Sequence, residues 1–543
     1  MNQKLSTTAQ SLIEKLTEAQ KFKYDPYLNI AELLKKHREI IEFSGDGSNR
    51  WLTHMNDELM KFWLKDGAKD CSKGLYRSFL THEGQPLPGL DESSKWPQEF
   101  QDAIVPGPDG KYATEAGDLL AGGNDRNADY NFVRSHSRQV FAYGMAYHMT
   151  GRQEYFGLCR KGAMVLAGLV GQDGSMPTRQ ALKDGSYVED DKDKRTSQDL
   201  AYGMTGMAFY YYLTHDEAML QKILALKNYI WKNYYSEALG LFTWLPLKDG
   251  KPQSTQAELV AHLDQLYAYM LWLTPSLPKE HKEEFKRDMK QIVNIIIERF
   301  YSEVYGTFWG ATTSGAMEAL GTDHTDFGHS VKAMWVIYQV GVWTEDVYFI
   351  NFARQKIHAI LEAAFDAEKG IWNRRILPDG TLDKDKEWWG LAELDQAAAI
   401  LAIKDPSYLQ YLNKSYPFWF NNLIDMENGE VWHVLDGATM KRKPGFPKAH
   451  CWKNSLHSSE HTLVCYLCSK QVLSHMRPWV EERDLIELYY AFESLDEVDH
   501  RTVSPYIFKG YITDKVVMDD IGAESAAPGK KLRRIKVTFD ALH

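Results

Sequence analysis

Apolar residues recur at i, i+3, i+4 and i+7 over most of this 543-residue chain. The segments carrying that period predict helices near 50–66, 134–150, 153–170, 196–214, 215–235, 255–273, 279–301, 325–341, 344–367, 387–404, 405–425 and 454–471. A helical region at about 8–43 precedes them. The connections alternate in length. Those after Thr150, Thr214, Thr274, Val342 and Lys404 are tight, whereas 171–195, 236–254, 302–324, 368–386 and 426–453 are long. Several long ones carry short aromatic or β-branched runs bounded by glycine, as in Gly240–Gly250 and Gly370–Gly380, and these predict β-hairpins.

Helical pairs with short turns at one end and long loops at the other, repeating every roughly 55 to 70 residues, predict an all-α fold. The expected architecture is an (α/α)6 toroid barrel of six inner and six outer helices, with hairpins in the long loops and a small C-terminal appendage. Expected divisions are 1–130 (N-terminal helices and an irregular segment, packed on or completing the barrel), 131–473 (the barrel with the active site) and 474–543 (the appendage). Within the last, the pattern predicts an acidic helix at Trp479–Leu495, then β-prone Tyr506–Thr513 and Arg533–Phe539 around turn-rich Ala523–Lys530.

This geometry puts function on the loop-rich face, where the inner helices begin. A helix buried among five others should be apolar nearly all round. Yet near their starts the six carry Arg138, Asp199, His262, His329, Glu393 with Trp388 and Trp389, and His457. The last of these segments, Lys448–His461, also holds His450, Trp452 and His461; Trp452 suits the wall of a cleft for a ring-shaped ligand. Any one of these histidines alone reads first as a capping or packing residue, Trp388 and Trp389 read equally as core aromatics, and Arg138 has a second reading as half of a buried ion pair. The six together at one level point to a shared site.

Composition narrows the partners. A 44% hydrophobic, 25% charged chain is globular, and its net charge of -11 with no basic stripe argues against nucleic acid or an anionic membrane as the main partner. The N-terminus runs into an amphipathic helix instead of an apolar signal region, and no window is apolar enough to span a membrane, so a cytoplasmic location is expected. Five cysteines fit a reducing compartment; Cys465-Tyr-Leu-Cys468 lies in an apolar run and reads as buried thiols. Sixteen tryptophans and thirty tyrosines suit a carbohydrate-sized cleft. The run Asp190–Arg195 reads as a solvated loop placed where it could cover the mouth.

His262, His329 and His457 come from three inner helices, and histidine takes and returns protons near neutrality. Two of them flanking a substrate could exchange a proton at a carbon next to a carbonyl, with Arg138 stabilising the enolate oxygen. Metal binding finds little support, since His457/His461 is the single pair with ligand spacing.

Arg134-Ser-His-Ser-Arg138, Ala261-His262-Leu, Gly328-His329-Ser-Val, Glu387-Trp388-Trp389-Gly-Leu-Ala-Glu393 and Trp452-Lys453-x-x-x-His457 stand in the order found in the N-acylglucosamine 2-epimerase family, which the chain resembles over roughly 130–472. The family includes cellobiose 2-epimerases and mannose and sulfoquinovose isomerases. The resemblance implies an (α/α)6 barrel that moves a proton at C2 of an open-chain mono- or disaccharide through an enediol(ate), without an organic cofactor or metal. It implies His329 and His457 as the acid/base pair, His262 and Arg138 on the carbonyl and hydroxyl oxygens, Trp388 and Trp389 stacked on sugar faces, and Glu393 on hydroxyls or a neighbouring residue.

Two positions depart from the pattern. The usual His-x-x-Glu is His329-Ser-Val-Lys332, which predicts a weaker base and offers a cation to an anionic sugar; the usual His-x-x-Arg is His457-Ser-Ser-Glu460. Competing readings are a glycoside hydrolase using two of Asp326, Glu393, Glu258 and Asp264, and a non-catalytic sugar-binding or scaffold protein. A homodimer is one option for the assembly.

Overall fold

The computed structural model describes residues 29–42, 49–122, 126–188, 192–312, 320–475, 484–522 and 531–542. Of the N-terminal helix expected at 8–43, Ile30–Ile41 lies within them, and Ala523–Lys530 lies outside the described residues. Six helical segments form the inner wall: Val133–Thr150, Ser197–Thr214, 259–273, Phe327–Thr344, Trp388–Ala402 and Leu456–His475. Each packs on the next, and the last returns to the first, so the ring closes. Gln153–Leu169, Glu217–Tyr234, Lys279–Phe300, Val347–Ala364 and Leu409–Phe418 back the first five. Ile30–Ile41 and the 50–63 segment back the sixth.

Burial explains which helices lie inside. Val133–Thr150 and Ser197–Thr214 are covered along almost their whole length, as a helix surrounded by others must be. Lys279–Phe300 instead buries one stripe, including Phe285, Met289, Ile292 and Ile296, and leaves its charged face to water. The tight turns use one device repeatedly. A left-handed residue, Gly151, His215 or Glu345, ends the inner helix, and Asp216 or Asp346 then caps the outer helix after the second and third of these.

At the long-loop end, strand pairs pin the helix starts. Residues 130–132 pair with 179–181 just before the helix at 133, 257–258 with 311–312 before 259, and 386–387 with 434–435 before 388. Further hairpins join 235–236 to 241–242 and 365–366 to 371–372. A second, smaller core, with Phe79, Leu87, Trp96, Phe100, Phe132, Val434 and Phe446, packs the irregular N-terminal segment over this mouth.

The expected acidic helix at Trp479–Leu495 is overturned. Within the described residues Ile486–Phe492 is a strand, in a three-stranded antiparallel sheet with Arg533–Leu542 in the centre and Gly510–Asp520 at the other edge. Ile486, Leu488, Tyr490 and Phe492 alternate inward, a period of two that outweighs the local acidic composition. The sheet lies across the tight-turn end. Tyr147 and His148 hydrogen-bond the carbonyls of Tyr490 and Tyr489, and Trp343 bonds that of Ile507. All five cysteines are free and buried, Cys465 and Cys468 among them as their apolar run predicts. No helix among the described residues is long and apolar enough to cross a membrane.

Candidate active site

Polar side chains collect inside the ring at helical spacing: Arg134 and Arg138, Asp264 and Tyr267, His329 and Lys332, Trp389 and Glu393, His457 and Glu460. Each pair lies three or four residues apart, so both members face the same way from their helix. Tyr267 lies in a π-helical turn, Leu266–Met270, within the third inner helix.

His329 sits one turn inside its helix. Asp326, the N-cap residue, accepts from the His329 backbone N–H and engages its Nδ1, both at 2.7 Å. Burial alone would raise the Asp326 carboxyl, but His329 and His324 hold it below the usual carboxylate range. The ring of His329 meets the Trp389 indole edge-on at 4.5 Å. His457 lies 6.0 Å from the same indole and stacks on Tyr267. Its Nδ1 is 3.4 Å from the Tyr267 hydroxyl. That nitrogen is also 3.3 Å from Glu393 Oε1, though off the line of a hydrogen bond. Burial, then Arg138, Lys332, His329 and Arg134, drives the His457 pKa well below the ordinary histidine value, so the ring is neutral near pH 7.

Lys332 corrects the expectation built on its charge. Its ammonium is buried 2.8 Å from Asp264 Oδ1 and 3.5 Å above the Tyr267 ring. Burial would lower its pKa, but Asp264, Tyr202 and Glu393 raise it, while Lys332 keeps the buried Asp264 ionised. The lysine is therefore already neutralised by its own carboxylate. The carboxylate missing one turn after His329 is supplied three residues before it, by Asp326.

His262 is also corrected. Its Nδ1 donates to the Glu258 carbonyl at 2.9 Å and its Nε2 accepts from the Phe242 N–H at 3.0 Å. With Phe242 and Phe300 against its ring and its pKa lowered by burial to about 4, it is a neutral clamp between a hairpin and a helix start. No nitrogen is left for a substrate oxygen.

Arg138 is buried, donates to the Trp452 carbonyl at 2.6 Å and lies over the Tyr202 ring. Its Nε has no partner, and no carboxylate stands within 4 Å of it among the described residues. Arg134 beside it is paired with Asp199, which Arg126 also holds. Trp388 is buried against His433 and Lys453, with an unpartnered indole N–H, whereas Trp389 is half-buried. Trp452 is 41% exposed. Glu393 accepts from Trp335 at 2.9 Å, and burial pushes its carboxyl pKa up. His450 bonds His433 at 2.9 Å, and His461 bonds Asp395 between Trp51 and Trp419, so both serve as supports.

Sequence reasoning missed Tyr267, His324, Tyr202 and His433. Asp326 was weighed only as a hydrolase carboxylate, although an aspartate three residues before a helical histidine is a legible N-cap. Glu393, His457 and Glu460 offer ligand atoms within 4.8 Å of one another. Both Glu460 oxygens take tyrosine hydroxyls, one Glu393 oxygen takes Trp335, and Lys332 and Arg138 add positive charge. Such a set suits hydrogen bonding better than a divalent cation.

Comparison with known proteins follows the same lines. The family model for N-acylglucosamine 2-epimerase (GlcNAc 2-epimerase) matches residues 117–450. Among solved structures, cellobiose 2-epimerase from Spirochaeta thermophila DSM 6192 superposes with a TM-score of 0.62 at 16% identity, over 83% of this chain and 100% of that one. Cellobiose 2-epimerase from Bacillus thermoamylovorans B4167 gives 0.61 at 16% identity, over 76% and 97%. A D-mannose isomerase gives 0.60 at 18% identity, over 79% and 100%. At these identities the superpositions establish the fold. No curated protein matches the chain by sequence.

Proposed function

The chain belongs to the N-acylglucosamine 2-epimerase family and is a sugar epimerase or isomerase, and we propose that it exchanges the proton at C2 of an open-chain reducing sugar using His329 and His457. One observation carries this reading. The two imidazoles border one half-buried indole, Trp389, and each is engaged at Nδ1, His329 by Asp326 and His457 by Tyr267. Nε2 of each ring is then the nitrogen available to a substrate, and an indole face suits the apolar side of a sugar. A neutral His457 can accept the C2 proton near pH 7. As the enediolate forms, Arg138, a buried cation without a carboxylate partner among the described residues, balances the charge on oxygen. Tyr202 and Lys332 line the same space, with Asp264 neutralising the lysine. The Lys332 charge is thus met inside the protein, and Arg138 is the cation left to act on the sugar oxygens.

The test is exchange in deuterated buffer over a panel of free reducing mono- and disaccharides. Deuterium entering C2 is expected, with an aldose epimer or a ketose as product. Replacement of His457 by alanine should slow it about 10²- to 10⁴-fold, the usual contribution of a general acid/base. No label in any sugar of the panel sinks the reading.

A further inference from the structure

The C-terminal sheet lies across the end of the barrel remote from the loop mouth, yet one of its residues reaches the layer beneath His457. Tyr506 follows Pro505 in the segment between the first two strands of the sheet and is fully buried. Its backbone is left-handed, at φ 59°, a conformation that disfavours a bulky residue unless its surroundings enforce it. Here they do. The Tyr506 N–H donates to the Tyr212 hydroxyl at 2.9 Å, and the ring is walled by Trp272, Phe141 and Phe209 of three inner helices. The hydroxyl points inward and donates to Glu460 Oε1. The other oxygen of Glu460 accepts from Tyr267, whose ring stacks on His457 and whose hydroxyl lies 3.4 Å from His457 Nδ1.

We propose that Tyr506 is a positioning residue for the proton-transfer site, holding Glu460 as a pure acceptor so that Tyr267 presents a lone pair, and not a proton, to His457 Nδ1. The argument is one of proton counting. The Tyr267 hydroxyl has a single proton, and it is committed to Glu460. Toward His457 it can only accept, which selects the tautomer protonated at Nδ1 and leaves Nε2 as the basic nitrogen. Glu460 keeps this arrangement while both its oxygens are satisfied. Without the Tyr506 hydroxyl, Glu460 loses one of the donors that favour its charged form and keeps Tyr267, Gln396 and the Lys332 charge, beside a second carboxyl, Glu393, and with burial already pushing its pKa up. Glu460 then takes a proton, the Tyr267 hydroxyl is released to donate to Nδ1, and the imidazole moves to the opposite tautomer. Lys332, Arg138, Arg134 and His329 also face His457 and disfavour its protonated form, and Glu393 Oε1 lies 3.3 Å from Nδ1 but off the line of a hydrogen bond, so Tyr267 decides between the two neutral tautomers. Glu460 and Tyr506 fall beyond the 117–450 stretch matched by the family model, so the family match does not supply this contact.

This inference rests on the proposed role of His457, but its test does not need turnover. Full-length protein labelled with ¹⁵N-histidine reports the tautomer from the Nδ1 and Nε2 shifts, and the His457 signals are identified by their loss in His457→Gln. Near neutral pH the native chain should show His457 protonated at Nδ1, and Tyr506→Phe should transfer a substantial fraction to the Nε2-protonated form. On a sugar that exchanges deuterium, Tyr506→Phe should lower kcat about tenfold and leave KM unchanged. Native tautomer shifts in Tyr506→Phe, with or without lost stability, would overturn the proposal, as would a native His457 protonated at Nε2. Should Tyr506→Phe not fold, Glu460→Gln replaces it, with the same tautomer change expected and an unchanged tautomer again overturning the idea. If no sugar exchanges, the reading of the function fails while the tautomer result still stands.

Discussion

Four histidines on the inner helices illustrate how a partner decides a role. His262 gives both nitrogens to backbone and becomes a clamp; His461 is held by Asp395 among aromatic rings; His329 and His457 are engaged at Nδ1 and border Trp389. Asp326 is the sharpest test at this scale because it does two things at once. Its Oδ1 caps the helix and its Oδ2 orients His329. Asp326→Asn keeps an excellent N-cap, so folding stability should change by less than about 1 kcal/mol. The amide cannot balance an imidazolium, so deuterium exchange at C2 should fall by about two orders of magnitude, within the range of a lost acid/base function. Urea unfolding and exchange kinetics on the same preparation separate the two. Comparable losses in both would mean that Asp326 acts only as a cap.

At the scale of elements, ion pairs bridge the inner helices, and Lys332–Asp264 ties the third to the fourth. Replacing Lys332 by methionine strands a buried carboxylate and should cost about 3–5 kcal/mol at pH 7, while adding Asp264→Asn should restore most of it. The sign with pH follows from Asp264. Its folded pKa is depressed, so its stabilisation is present above the ordinary carboxylate range and lost as pH falls through the folded value. The gap between native and Lys332→Met proteins should therefore be widest near neutrality and narrow below about pH 4, as pH falls from the ordinary carboxylate value through the lower folded one, in urea titrations. Helices of this kind were legible in the sequence because a 3.6-residue period survives even where polar groups interrupt it. The partners were less legible: Lys332 looked free because Asp264 lies 68 residues away on another helix. The strand at Ile486–Phe492 was legible in principle from its alternation, but flanking glutamates and aspartates weighted the reading toward a helix.

At the scale of the molecule, the sheet and the barrel share a buried boundary. Tyr147, His148, Tyr212 and Trp343 of the barrel all bond the sheet or the segment beside it, and Tyr506 reaches the layer beneath His457. No local pattern announces such a contact, since Tyr506 and Glu460 are 46 residues apart and joined by no repeat. Two parts so joined should unfold together. Gly151 offers the probe, because it closes the first tight turn beneath the sheet with φ 68°, and an added Cβ would lie 2.6 Å from the Tyr489 ring. Its carbonyl also accepts from Arg534 at 2.7 Å. Gly151→Ala should cost about 1 kcal/mol for the left-handed backbone alone, and more for displacing Tyr489. Tryptophan fluorescence, which reports the barrel, and hydrogen-exchange protection of the Ile486–Phe492 amides, which reports the sheet, should shift to lower urea by the same amount and remain coincident. A sheet that unfolded independently would instead split the two curves, its transition moving while the barrel's stayed in place.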